Sequence, residues 1–175
     1  MRHIYLLRTL IVAFTGLFIT HFASAATYSL DANLDPFQEV PPHNTPGYGS
    51  ADFTLDTTAA TLTINAGTGL YADLLAGATV VRLQDAAVGA NGPTLGNFTL
   101  DTAGNTSGTF SSSVGTLTAG QITDILAGNT YVNIADSVFP SGEIRGQILT
   151  LPEPASMAVL GGAGLLAMRR RGARA

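Results

Sequence analysis

The sequence predicts an all-β fold, an antiparallel Greek-key β-sandwich carrying one short helix and flanked by an apolar segment at each end. Three observations predict it. Apolar and polar residues alternate with period two through most of the middle of the chain. Turn-forming pairs, Pro46-Gly47, Asn91-Gly92-Pro93, Gly104-Asn105 and Ser141-Gly142, separate the alternating runs. Gly, Thr and Ala are abundant while charged residues make up only 11% of the 175, a composition that favours short strands and turns over helices.

The strands follow in order. In "TYSLDANLD", Tyr28, Leu30, Ala32 and Leu34 alternate with Ser29, Asp31, Asn33 and Asp35. In "SADFTLD", Ala51, Phe53 and Leu55 do the same. Further strands are predicted over 61–66, 78–83, 95–100, 108–114, 130–135 and 143–149. Roughly eight short strands at this spacing suit a sandwich in which each sheet keeps one solvated face. The helix interrupts them at "LTAGQITDILAGN". Thr118 is placed as N-cap with Gln121 at N3, a capping box, and Leu117 and Ile122 can staple the first turn. Gly128 then suits the position just past the C-terminus.

Both ends read as addresses rather than as fold. "MRHIYLLRTLIVAFTGLFITHFASA" has basic Arg2 and Arg8, an apolar core, and a small-residue cleavage site at Ala23-Ser24-Ala25. This is the three-part order of a secretory signal peptide, cut by signal peptidase after Ala25. The other end, "LPEPASMAVLGGAGLLAMRRRGARA", has an uncharged run over 155–168 followed by Arg169, Arg170 and Arg171. As a helix that run spans roughly 20 Å of a ~30 Å hydrocarbon core. It is a weak anchor for the inner membrane, and its arginines would stay cytoplasmic, leaving the middle of the chain outside. The expected organisation is a signal peptide over 1–25, a β-sandwich domain over 26–150 and a hydrophobic sorting helix over 151–175.

Composition excludes several kinds of chemistry. The chain has no Cys, no Lys and no Trp. That removes disulfides, thiolate nucleophiles, Cys-ligated metals and Schiff bases, and it weakens any sugar-stacking platform built on indole. Between 26 and 151 eleven acids stand against only Arg82 and Arg145, a balance of −9. Such a surface repels phosphate backbones, so nucleic acid is not an expected partner.

Three stretches within the middle carry a family resemblance: "QEVPP" at 38–42, "GANGP" at 89–93 and "GNTYVNIADSVFPSGEIRGQIL" at 128–149. In order and spacing, across about 120 residues, they resemble a CHRD (chordin-type) domain. The tail, with Pro152-Glu153-Pro154, apolar helix and arginine cluster, resembles a PEP-CTERM sorting signal. That second resemblance implies a Gram-negative bacterium, processing by an exosortase-type enzyme near Pro152, Glu153 and Pro154, and a link to exopolysaccharide at the outer surface.

The residues of the first resemblance also have a physical reading. Gln38, Glu39 and Pro41 belong to a segment whose prolines should end an edge strand and begin a crossing loop. Asn91 and Gly92 form a turn. Tyr131 should bury its ring and satisfy its hydroxyl at a strand edge, with Asn133 two positions on. Gly142 belongs to a turn. Glu143, Arg145 and Gln147 share one strand face, while Ile144, Gly146 and Ile148 share the face that packs inward. Gly146 marks a close backbone approach or a bulge. Arg145, one of two cations among eleven acids, is expected to bridge carboxylates.

The departures from the family bear on function. CHRD domains commonly carry a His-x-His pair before Asn-Gly-Pro and another His after Tyr-Val-Asn, a set that could hold a transition metal. The matching positions here are Val81, Leu83 and Ala135, which cannot coordinate, and His43 is the one histidine between the two addresses. "DANLD" opens like an EF-hand, but Pro36 and Pro42 stand where that loop needs Gly and Glu. No cofactor is expected and no catalytic residue is nominated. The expected function is an exported, non-enzymatic structural or adhesive module of a cell surface or extracellular matrix, with exopolysaccharide or other surface proteins as partners. A surface Ca²⁺ or ligand site, and a hydrolase using a carboxylate pair on matrix polysaccharide, remain as alternatives.

Overall fold

The computed structural model describes residues 26–152. The expected cleavage site at Ala23 and Ala25, and the expected sorting residues Glu153, Pro154, Arg169, Arg170 and Arg171, lie outside the described residues; Pro152 closes them in an exposed coil.

Eleven strands follow in chain order: β1 (Thr27–Leu34), β2 (Tyr48–Asp56), β3 (Thr61–Ile64), β4 (Leu70–Ala72), β5 (Ala78–Asp85), β6 (Thr94–Leu100), β7 (Gly108–Ser111), β8 (Ser113–Val114), β9 (Thr130–Asp136), β10 (Ile144–Gln147) and β11 (Leu149–Thr150). Among the described residues one α-helix, α1 (Ala119–Leu126), precedes β9. All pairings are antiparallel, in the order β10-β9-β5-β6-β7-β4-β2-β1-β11, with β3 alongside β2 and β8 alongside β3. Non-consecutive neighbours such as β9 beside β5 and β11 beside β1 are the return crossings of a Greek-key arrangement. Alternation places Leu30, Leu34, Phe53, Leu55 and Leu62 of one layer against Val81, Leu83, Phe98, Ile134 and Ile144 of the other, all buried in one core. Phe53 and Phe98 meet across it with ring centroids 5.9 Å apart.

Helix α1 begins as its sequence predicts. The Thr118 hydroxyl accepts from the Gln121 amide at 3.3 Å, and the Gln121 side chain accepts from the Thr118 amide at 2.7 Å. Ile125 is driven into the core, and Gly128 takes φ +74° just past the end. Thr118→Ala is expected to lower stability by about 1 kcal/mol, read as a shift in the urea midpoint. An unshifted midpoint would mean that Ile125 packing alone determines the helix.

Several expectations need correction. The run over 108–114 is two strands, because Ser112 at φ +89° bends the chain from β7, paired to β4 and β6, onto β8, paired to β3. The run over 143–149 also divides. Its first part pairs with β9, and after Ile148 the chain crosses to pair Leu149 and Thr150 with β1. β4 is only three residues long and shows no legible alternation. The QEVPP segment does not end a strand. β1 stops at Leu34, and Asp35 caps a 3-10 turn over Pro36–Gln38, accepting from the Phe37 amide at 2.8 Å and the Gln38 amide at 3.1 Å. The expected single solvated face holds for β1 and β2, but β9 and β10 are buried along their whole length.

Candidate functional site

The buried polar face of β9 and β10 is where the three singled-out stretches meet. Register fixes which side chains share it. Arg82 pairs with Asn133 and Gln84 with Tyr131 across β5 and β9; Arg145 pairs with Asn133 and Gln147 with Tyr131 across β10 and β9. These side chains point away from the core, which Val81, Leu83, Val132, Ile134 and Ile144 occupy. Two loops cover them: the segment after the 3-10 turn, and the 86–93 loop between β5 and β6.

Arg145 ties the second loop down. It is 1% exposed and donates to the carbonyls of Ala90 at 2.7 Å and Ala87 at 3.2 Å, and to Gln147 Oε1 at 3.1 Å. Its guanidinium lies 3.4 Å over the Tyr131 ring, within cation–π range. The expected bridge to carboxylates is thus replaced by carbonyls, an amide and a ring. Burial lowers the pKa of the guanidinium, while Tyr131 and Glu39 push it back up. The Gln147 side chain adds bonds to Ala86 O at 2.9 Å and Gly128 O at 2.8 Å, and Gln84 Nε2 reaches Gly92 O at 3.1 Å. The Gly92 amide donates to the Tyr131 hydroxyl at 3.3 Å, so the buried ring has its polar end satisfied as expected.

The first loop is held from the same platform. Asp35 and Arg145 exchange backbone hydrogen bonds at 3.0 and 3.1 Å. Gln38 works in both directions: its amide nitrogen donates to Asn33 O and Asp35 Oδ2, and its oxygen accepts from the Gln147 amide at 3.1 Å. Glu39, 5% exposed, accepts from Asn133 Nδ2 at 2.9 Å. Asn91 Nδ2 crosses between the loops to Val40 O at 2.8 Å. Pro41 follows in a cis peptide with Val40 and is exposed. Burial raises the Glu39 carboxyl to about 7, offset in part by Arg145 and the Val40 amide.

Glycines permit the close packing. A Cβ on Gly142, at φ +148°, would fall 2.2 Å from the Asn133 side-chain amide. One on Gly146 would meet the Asn33 carbonyl at 2.7 Å, confirming the close approach read from the sequence.

Glu143 lies apart from this cluster. It is fully buried, and both of its oxygens accept from the Leu75 amide at 3.0 Å, while the neighbouring Asp136 accepts from the Ala76, Val138 and Phe139 amides. Burial first, and the hydrogen bond to Asp136 second, raise the Glu143 pKa. Both carboxyl groups are buried and accept from the adjacent Leu75 and Ala76 amides.

The remaining space is a cavity of about 300 Å³, lined chiefly by Glu39, Arg82, Gln84, Asn91, Tyr131 and Asn133. Sequence reading missed Arg82 and Gln84. Their alternation with Val81 and Leu83 was visible, but nothing local showed that their face is roofed. The three positions that the resemblance matches to histidine do not share a face. Val81 and Leu83 face the core, whereas Ala135, paired with Val80, faces the other way. Among the described residues no three His, Cys, Asp or Glu side chains are grouped to hold a metal ion, and no helix is long and apolar enough to cross a membrane. The family model for the CHRD domain matches residues 30–148. No curated protein and no solved structure matches the chain.

Proposed function

The chain belongs to the CHRD domain family, and from that premise we propose that it is an exported, non-enzymatic structural or adhesive module, sorted through its tail to a bacterial surface or extracellular matrix. One observation carries the non-enzymatic part. Most of the charged and amide side chains of the three motifs named here hold two loops over one sheet face: Arg145 on Ala87 and Ala90, Gln38 and Gln147 on backbone, Asn91 on Val40. A group fixed by several bonds to structural carbonyls makes a scaffold, and no nucleophile is paired with a base in it. The export part rests on the order of charge and hydropathy at the two ends.

Mass spectrometry of the protein recovered from its producing cells tests the sorting. The expected product begins at Ala26 and ends near Pro152, Glu153 and Pro154. In the triple variant R169Q/R170Q/R171Q the C-terminal segment should be retained on the product. Recovery of the parent chain from the cytosol with both ends intact would overturn the proposal.

A further inference from the structure

The cavity over β5 and β9 contains an imbalance that the loop scaffold does not account for. Asn133 is 2% exposed and gives its amide nitrogen to Glu39, yet its Oδ1 has no hydrogen-bond partner. Gln84 repeats the pattern: its nitrogen is held by Gly92 O and its Oε1 has none. Both side chains line the same cavity, with the two oxygens closed off behind its wall. A buried amide oxygen without a donor costs about 1–3 kcal/mol, and two in one cavity amount to a demand for donors from outside the fold.

The other wall decides what kind of donor fits. Arg82 reaches Pro140 O only at 3.3 and 3.4 Å, a loose pair of contacts that an acceptor atom in the cavity can displace. Glu39 faces it from the first loop. An anion would meet Glu39 and two acceptor oxygens. A cation would meet Arg82, with Arg145 behind the Tyr131 ring. A group that donates at one edge, accepts at another and carries no charge satisfies both walls, and the hydroxyl is that group. About 300 Å³ is at the lower end of small-ligand cavities and admits one compact unit, not a run of them. Exposed Asn91, Thr94, Pro140 and Ser141 rim it, so such a unit can enter while attached to something larger.

We propose that this cavity binds one neutral polyhydroxylated unit, a monosaccharide residue of a glycan, with Arg82 donating to its hydroxyls and the Asn133 and Gln84 side chains turning on binding so that their buried oxygens accept from them. This gives the adhesive reading a ligand class and rests on it only for which compartment the cavity faces. The two fail separately, since binding is read on purified protein and sorting on its processed ends.

The experiment is saturation-transfer NMR on the full-length chain with three probes: methyl α-D-glucopyranoside, methyl α-D-mannopyranoside and methyl β-D-galactopyranoside. Acetate and methylammonium serve as charged comparators. The expected result is transfer to at least one hexoside with a dissociation constant on the order of 1 mM, and an affinity about tenfold weaker in both Q84A and R82A. It should be unchanged in T63A, which is exposed on β3 in the other layer. If Q84A or R82A does not fold, T94V at the rim takes its place. No transfer to any hexoside, equal transfer in the cavity variants, or preference for acetate or methylammonium would each overturn the proposal.

Discussion

Replacing Arg145 by alanine is expected to cost about 4 kcal/mol, a large part of the stability margin of a domain of this size. Arg145 is among the largest fully buried side chains of the described residues, so truncation leaves a cavity as well as unmade bonds. It removes the stacking at 3.4 Å on Tyr131 and three hydrogen bonds, two of them the tethers of the 86–93 loop. The Ala87 and Ala90 residues themselves are exposed, and their carbonyls can rehydrate. The larger part of the loss is therefore packing and loop order, not orphaned acceptors. That distinction makes a second variant informative. R145M restores most of the volume without the fork of donors and should recover about half of the loss. R145K keeps the charge but not the planar face over Tyr131, and should lie between the two. Chemical denaturation ranks the three. Hydrogen exchange at 86–93 should quicken in all of them, because none can hold both carbonyls. A loss below about 1 kcal/mol for R145A would refute the structural role assigned to Arg145.

What could be read from the chain alone divides along a physical line. Period-two alternation recovered β1 and β2 because each has one wet and one dry face, as in Leu30, Ala32 and Leu34 against Asp31 and Asn33. The capping box of α1 was legible because all of its partners lie within four residues. The same rule misled at β10. There Glu143, Arg145 and Gln147 are polar and alternate with apolar residues, so the strand reads as half-solvated, yet both of its faces are buried. The roof comes from residues far away in the chain: Gln38 meets Gln147 across 109 positions and Glu39 meets Asn133 across 94. Local pattern holds no trace of such contacts. Resemblance to a family singled out the residues, but not that most of them converge on one platform, nor that Glu143 belongs to a different one under Leu75. The expected ion pair of Arg145 failed for a related reason. Counting charges assumes that cations seek carboxylates, whereas a guanidinium roofed by a loop meets carbonyls first.

Glu39→Gln should remove the larger part of the pH dependence of stability between about pH 5 and pH 8. In the folded chain burial raises this carboxyl to about 7, against 4.5 for the ordinary group. A pKa raised on folding means that the folded state binds the proton more tightly. The contribution is then fully present below about pH 4.5 and is lost as pH rises through about 7, on the order of 3 kcal/mol in all. Glu143 and Asp85 are raised as well, both mainly by burial, and act in the same direction. Glutamine mimics the protonated acid: its oxygen can keep the 2.9 Å bond from Asn133 and it never pays the desolvation of a charge. E39Q should therefore match the parent within about 1 kcal/mol near pH 4.5 and exceed it by about 3 kcal/mol at pH 8. Urea midpoints across that range give both curves. E143Q separates the carboxyl under Leu75 from the one beside Arg145, since it should flatten only the remainder. Parallel curves for E39Q and the parent would mean that Arg145 already holds Glu39 ionised at every pH in the range, and the cavity over β5 and β9 would then carry a permanent negative charge on its first-loop wall.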